Sequence, residues 1–192
     1  MNQAIFHCGV ITSFIYTVIY VAKNNIIIEY EYIKNIYFQK EITRKMDYVL
    51  EKYTISFIEV FLGPAPLMSC RSTLIFIQGL FIVLKIPIVL LSGNNAYKYK
   101  WCDVVIIQNF SGNYILIERG MKNKSATLLE IEKNDYSNKK VALVAREGHN
   151  ININTGYIVL LFPDIKALAI LAYKKYTNNK CIKKVSEIVP FL

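Results

Sequence analysis

Residues 63–92 constrain the chain more than any other stretch. Gly63-Pro64-Ala65-Pro66 reads as a turn, the run from about Ser69 to Lys85 is almost wholly apolar, and Ile86-Pro87-Ile88-Val89-Leu90-Leu91-Ser92 opens a short strand at a proline. Proline has no N–H and clashes with a preceding helical turn, so a helix cannot run through Pro87. Lys85 stands where a helix ends and a cation suits the helix dipole. Before the turn, Ile55 to Leu62 reads as a strand with Glu59 inside it, so the segment is strand, turn, helix, strand. The unbroken apolar run Ile88 to Leu91 predicts a strand covered on both faces.

The rest of the chain follows the same alphabet. Ala4 to Phe6, Ser13 to Ala22 and Ile26 to Tyr32 predict three consecutive strands, with Asn24-Asn25 as a hairpin connection. From Gln39 to Tyr53 the period changes: Ile42, Met46, Val49, Leu50 and Tyr53 recur at helical spacing among charged residues, an amphipathic helix. Gly93-Asn94-Asn95 and the polar residues to Lys100 mark a lobe boundary. Beyond it, Val104 to Gln108 and Tyr114 to Glu118 form a hairpin signal, Met121 to Ser125 and Lys133 to Lys140 read as polar loops, and Val141 to Ala145 and Tyr157 to Leu161 as short strands. Pro163-Asp164 opens a helix reaching about Tyr176.

Composition bounds what such a chain can be. At 192 residues it can bury a real core without disulfides. Its apolar fraction of 54% and mean hydropathy of +0.30 raise the membrane question. Gly9 to Ala22 is too short to span a bilayer and lacks the basic start of a signal peptide, while Leu74 to Leu91 is interrupted by Gln78, Gly79, Lys85 and Pro87. Cys8, Cys70, Cys102 and Cys181 are widely spaced, which points to reduced thiols in a cytosolic protein. Cys70 beside Arg71 at a helix start is in a setting that can lower a thiol pKa. The net charge of +9 raises nonspecific affinity for nucleic acid, although an AT-rich genome would yield a similar Lys-rich composition.

The segment from Gly63 to Ser92 resembles, without a gap, the signature G-P-G-S-F-T-G-x-R, the helix motif A-x-G-L-A and the following N-I-P-x-x-x-V-S of the TsaB (YeaZ) family. Gly63, Pro64, Arg71, Gly79, Leu80, Pro87 and Ser92 carry the match. Gln108 to Tyr114 is similar to the family's D-A-R-x-G-E-V-Y turn, and Ser186 to Leu192 to its closing P-x-Y-L-R. The resemblance implies an α/β chain of the actin-like ATPase (ASKHA, ribonuclease H-like) fold with two small lobes, 1–92 and 93–192. It implies a non-catalytic, cytoplasmic scaffold subunit of the tRNA N6-threonylcarbamoyladenosine complex. Its partner would be a TsaD-like transferase, joined by a TsaE-like ATPase, with tRNA contacted indirectly and a homodimer formed when isolated. No membrane is involved, and ATP and metal are expected on the partner rather than on this chain.

The same resemblance assigns residues. The interface positions are Ile42, Met46 and Val49 on the first helix, and Arg71, Leu74, Ile75 and Gln78 on the second. The nucleotide-site positions are degenerate: His7 stands for the first-strand aspartate, Gln108 for the second-lobe aspartate, and the glycine turn has become Gly63-Pro64 followed by Ala65-Pro66. Proline removes an N–H, and side chains at former glycine positions obstruct an anion. His7 and His149 are the only histidines, so the H-x-x-x-H metal pair of the TsaD family is absent; His7 reads as a buried structural residue and His149 as a loop residue. Two other classes fit the residues, a membrane-associated protein and a small nucleotide-binding enzyme of the same fold.

Overall fold

The structure, a computed structural model, describes residues 4–63, 65, 67–91, 102–108, 113–146, 148–160 and 163–182. Pro64, Ser92, the lobe boundary after it, the 109–112 turn with Gly112, and the C-terminal motif lie outside the described residues. The first half contains β1 (Phe6–Thr12), β2 (Tyr16–Lys23), β3 (Ile26–Lys34), α1 (Phe38–Lys52), β4 (Ile55–Leu62), α2 (Leu67–Leu84) and β5 (Ile88–Leu91). The second contains β6 (Val104–Gln108), β7 (Tyr114–Glu118), β8 (Lys124–Ala126), α3 (Leu128–Lys133), β9 (Val141–Val144), β10 (Tyr157–Val159) and α4 (Ile165–Thr177).

The two sheets share one topology. The first has the order β3-β2-β1-β4-β5 and the second β10-β9-β6-β7-β8. Each begins as an antiparallel three-stranded meander, then adds two parallel strands beside its first strand. The second half therefore repeats the first in abbreviated form, with six-residue α3 where the first has fifteen-residue α1.

Alternation along β1 sorts the core into layers. Cys8 and Val10 face Ile42, Met46 and Val49 of α1 and Leu74 and Ile77 of α2. Ile11 points to the opposite face, where Tyr20, Phe57, Phe61 and Val89 meet Leu168, Ala169 and Ala172 of α4 together with Val105, Ile107 and Val144 of the second sheet. Ile131 and Tyr136 close the far side of that sheet. Thus α4, last in sequence, packs against β5, β3 and β4 of the first sheet and joins the two halves in one apolar layer.

The apolar run at Gly9 to Ala22 is not one strand. Ser13, Phe14 and Ile15 turn it back on itself: Ser13 N–H and hydroxyl both donate to Tyr16 O, at 2.9 and 2.8 Å, and Asn35 Nδ2 donates to Ser13 O at 2.8 Å. The turn lacks Gly, Pro and Asn, so its chemistry is supplied by Asn35 from the far end of β3. The strand between Met121 and Leu128 and the helix α3 were also absent from the sequence reading. Their signal is the Thr127-x-x-Glu130 capping box, in which each side chain satisfies the other residue's backbone N–H.

Gly9 is required by packing. A Cβ there would sit 1.9 Å from Cε1 of the Tyr20 ring, and Tyr20 is fully buried, so it cannot swing aside. Gly9→Ala is expected to destabilise the chain by about 2–3 kcal/mol through overpacking, read as a lowered urea midpoint with an unchanged slope.

Candidate functional site

Three places hold the residues singled out from sequence. They are the outer face of α2, the turn after β4, and a polar cluster on the inner face of the first sheet.

Helix α2 has eighteen residues, nearly all apolar, and only one side can reach the sheet. Thr73, Leu74 and Ile77 are buried beneath it. The opposite side carries Met68, Arg71, Ile75, Gly79 and Ile82 at spacings of three and four, with Met68 69% and Ile75 68% exposed, and Val83 beside them. Gly79 sits mid-helix, where glycine costs about 1 kcal/mol relative to alanine, yet a Cβ there would meet nothing within 4 Å. Among the described residues, nothing in the fold gives a reason for that glycine.

The interface assignments divide on this geometry. Arg71 and Ile75 are exposed and Gln78 is half-buried. Ile42, Met46, Val49 and Leu74 are core residues, each at most 5% exposed. This corrects the sequence reading. Helical periodicity gives the apolar stripe of α1, and that stripe is spent on the sheet, as is Leu74 on the inner side of α2. The helix ends as expected: Lys85 adopts φ 55°, its N–H donates to Phe81 O, and Pro87 precedes β5.

At the turn after β4, Gly63 N–H donates to Thr12 O at 3.1 Å, and the Thr12 and Thr73 hydroxyls are 2.8 Å apart, with Thr73 also donating to Ser69 O. His7 is not part of this place. It lies five residues before the end of β1, about 16 Å along the strand, opposite Phe57 in β4. Across the molecule, Gln108 ends β6 and accepts from Arg146 N–H at 3.2 Å, with its Nε2 3.5 Å from His149 Nδ1. His149 Nε2 in turn is 2.5 Å from the Tyr114 hydroxyl, so His149 is held by Tyr114 and Gln108 rather than standing in a solvated loop. At the turn the Gly63 N–H and the Thr12 and Thr73 hydroxyls are engaged within the chain, and Gln108 presents an amide rather than the carboxylate that a hard cation takes. Cys70 is half-buried, and burial pushes its thiol up to about 11, the reverse of activation.

The third place was not predicted as a unit. His7, Tyr20 and Glu59 are fully buried on the face toward α4. His7 stacks on Phe57 at 4.5 Å, and Phe57 stacks on Tyr176 of α4 at 4.3 Å. The Tyr20 hydroxyl donates to Glu59 Oε2, while Glu59 Oε1 and both His7 nitrogens have no protein partner. Burial holds His7 down to about 4 and pushes Glu59 up to about 8, so both are neutral at pH 7.

Two sheets of one strand order, layered with helices, make an α/β protein with the actin-like ATPase fold. Within that class the fold is that of YeaZ (TsaB). The structure titled YeaZ from Pseudomonas aeruginosa superimposes with a TM-score of 0.67 at 13% identity, covering 98% of this chain and 99% of that one. An uncharacterized protein with similarity to peptidase YeaZ from Pseudomonas aeruginosa superimposes at 0.64 and 14% identity, covering 99% of each chain. At these identities the likeness is one of fold. No protein-family model matches the sequence, and no curated protein matches it. No helix among the described residues is long and apolar enough to cross a membrane.

The buried pair makes stability depend on pH with a definite sign. Glu59 binds its proton more tightly folded than unfolded, so stability is lost as pH rises from its ordinary value of 4.5 toward 8. His7 acts oppositely, costing stability as pH falls from 6.5 toward 4. Between pH 6.5 and 8 only the Glu59 effect remains. Thermal unfolding at the two pH values should show stability falling by on the order of 1 kcal/mol in the wild type, and a flatter profile in Glu59→Gln.

Proposed function

We propose that this chain is a non-catalytic scaffold subunit of tRNA N6-threonylcarbamoyladenosine modification, docking a TsaD-like transferase through the outer face of α2. The observation that carries the reading is the exposed apolar stripe Met68, Ile75 and Ile82 with Gly79 at its centre, on a fold shared with YeaZ over nearly the whole chain. Large apolar side chains around a small residue allow a partner helix to approach closely and bury its own apolar residues. Arg71, exposed at one end of the stripe, supplies a polar rim contact.

The absence of a role in chemistry is part of the reading. The Thr12–Thr73 contact engages two hydroxyls beside the turn and Gly63 N–H is spent on Thr12 O, and burial keeps Glu59 a neutral acid. ATP and metal accordingly belong to the transferase, a TsaE-like ATPase joins the pair, and tRNA meets this chain only through its partner. The compartment is the cytoplasm, in keeping with four cysteines outside any disulfide.

Ile75→Asp tests this without touching the core, since Ile75 is exposed. The variant should fold normally by circular dichroism and lose at least about 2 kcal/mol of affinity for a coexpressed TsaD-like subunit. Met46→Asp, by contrast, should unfold the chain, because it buries an unpaired carboxylate. A wild-type chain that does not copurify with the transferase would overturn the reading.

A further inference from the structure

We propose that the groove between the C-terminal ends of α2 and α4 binds an amphiphilic monocarboxylate, with Lys85 and Asn179 on the carboxylate and an apolar wall along its body. The groove has a volume of about 810 Å³, in the range of small-molecule sites. Phe81, Lys85 and Pro87 line it from the end of α2 and the approach to β5, and Tyr176, Asn179 and Ile182 from the end of α4 and just beyond. It lies beside Ile5 at the start of β1, whereas the turn after β4 is bonded to Thr12 at the other end of that strand. The length of β1 sets the two places about 20 Å apart.

The polar lining points to a ligand and to its class. Lys85 and Asn179 follow the last turns of α2 and α4, and both have a φ of 55°. Glycine is the usual residue at that left-handed position after a helix; asparagine tolerates it, and lysine is strained there. Neither side chain has a hydrogen bond or ion pair among the described residues. Two unspent polar groups, at the same position of two helices, therefore line one groove. Lys85 carries the one charge among its described lining residues, which calls for an anion. Both helices present their carbonyl ends here, opposite to the N–H ends that cradle phosphate, so a dianion finds no set of donors. One ammonium and one amide suit a single carboxylate. The rest of the wall suits a hydrocarbon body, and its Tyr176 ring is set in place by stacking on Phe57 at 4.3 Å.

Calorimetric titration of the full chain with sodium decanoate tests this. The wild type should bind it saturably with a dissociation constant on the order of 0.1–1 mM, decyl phosphate no more tightly, and decyltrimethylammonium at least about tenfold more weakly. Lys85→Gly suits the backbone, so it should raise the urea midpoint while weakening decanoate at least about fivefold. Lys85→Met, which keeps the stem and removes the charge, should weaken it as much. Decanoate should also slow maleimide labelling of Cys181, which lines the groove, and leave that of Cys70 in the first turn of α2 unchanged. Ile75→Asp should bind like the wild type. No saturable binding by about 5 mM decanoate, tighter binding of decyl phosphate, equal binding of the ammonium, unchanged affinity in the lysine variants, unprotected Cys181, or loss of binding in Ile75→Asp would each overturn the proposal. None of these outcomes bears on docking of the transferase.

Discussion

Everything in the molecule depends on the centre of the first sheet, β1, β2 and β4, being buried on both faces. One face is covered by α1 and α2, the other by α4 and the inner residues of the second sheet. A strand covered on both sides cannot alternate apolar and polar residues, and β1, β2 and β4 are accordingly apolar almost throughout. This is the physical source of the high apolar fraction and of the long apolar run at Gly9 to Ala22. It also dictates the state of the few polar groups in the layer: His7 and Glu59 can be there only as neutral side chains, and Tyr20 fits only because residue 9 lacks a Cβ.

The repeated sheet order explains how so short a chain builds two five-stranded sheets. Neither sheet is thick enough to form two cores alone, and α4 supplies the missing layer by returning from the second half to the first. The second half is abbreviated where the first is elaborated. Six-residue α3 suffices there because Ile131 and Tyr136 cover a smaller sheet.

Much of this was legible in the sequence, for identifiable reasons. β4, β5, β6 and β7 fall where unbroken apolar runs bounded by Gly, Pro or Asn place them, and the start of α4 is marked by Asp164, whose carboxylate caps the N–H groups of Lys166 and Ala167. The β1–β2 turn was hidden because its geometry comes from Asn35, twenty-two residues beyond Ser13, rather than from local turn residues. The candidate site was only half legible. Periodicity identifies which residues of a helix share a stripe, but it does not say whether the sheet or a partner takes that stripe. On α1 the sheet takes Ile42, Met46 and Val49. On α2 both sides are apolar, so the sheet's share, Leu74 and Ile77, and the outward share, Met68 and Ile75, become distinct only in three dimensions. The His7, Tyr20 and Glu59 cluster was hidden in the same way, being assembled from three strands.

Helix α2 is built against its own interest as a solitary helix, with an exposed apolar side and a glycine that nothing among the described residues requires. If that side exists for a partner, then removing the glycine must help the free chain and harm the complex. Calorimetric titration of Gly79→Ala with a TsaD-like transferase is the most direct test. The account predicts a chain more stable by about 1 kcal/mol that binds at least about tenfold more weakly. Unchanged affinity in the stabilised variant would contradict it.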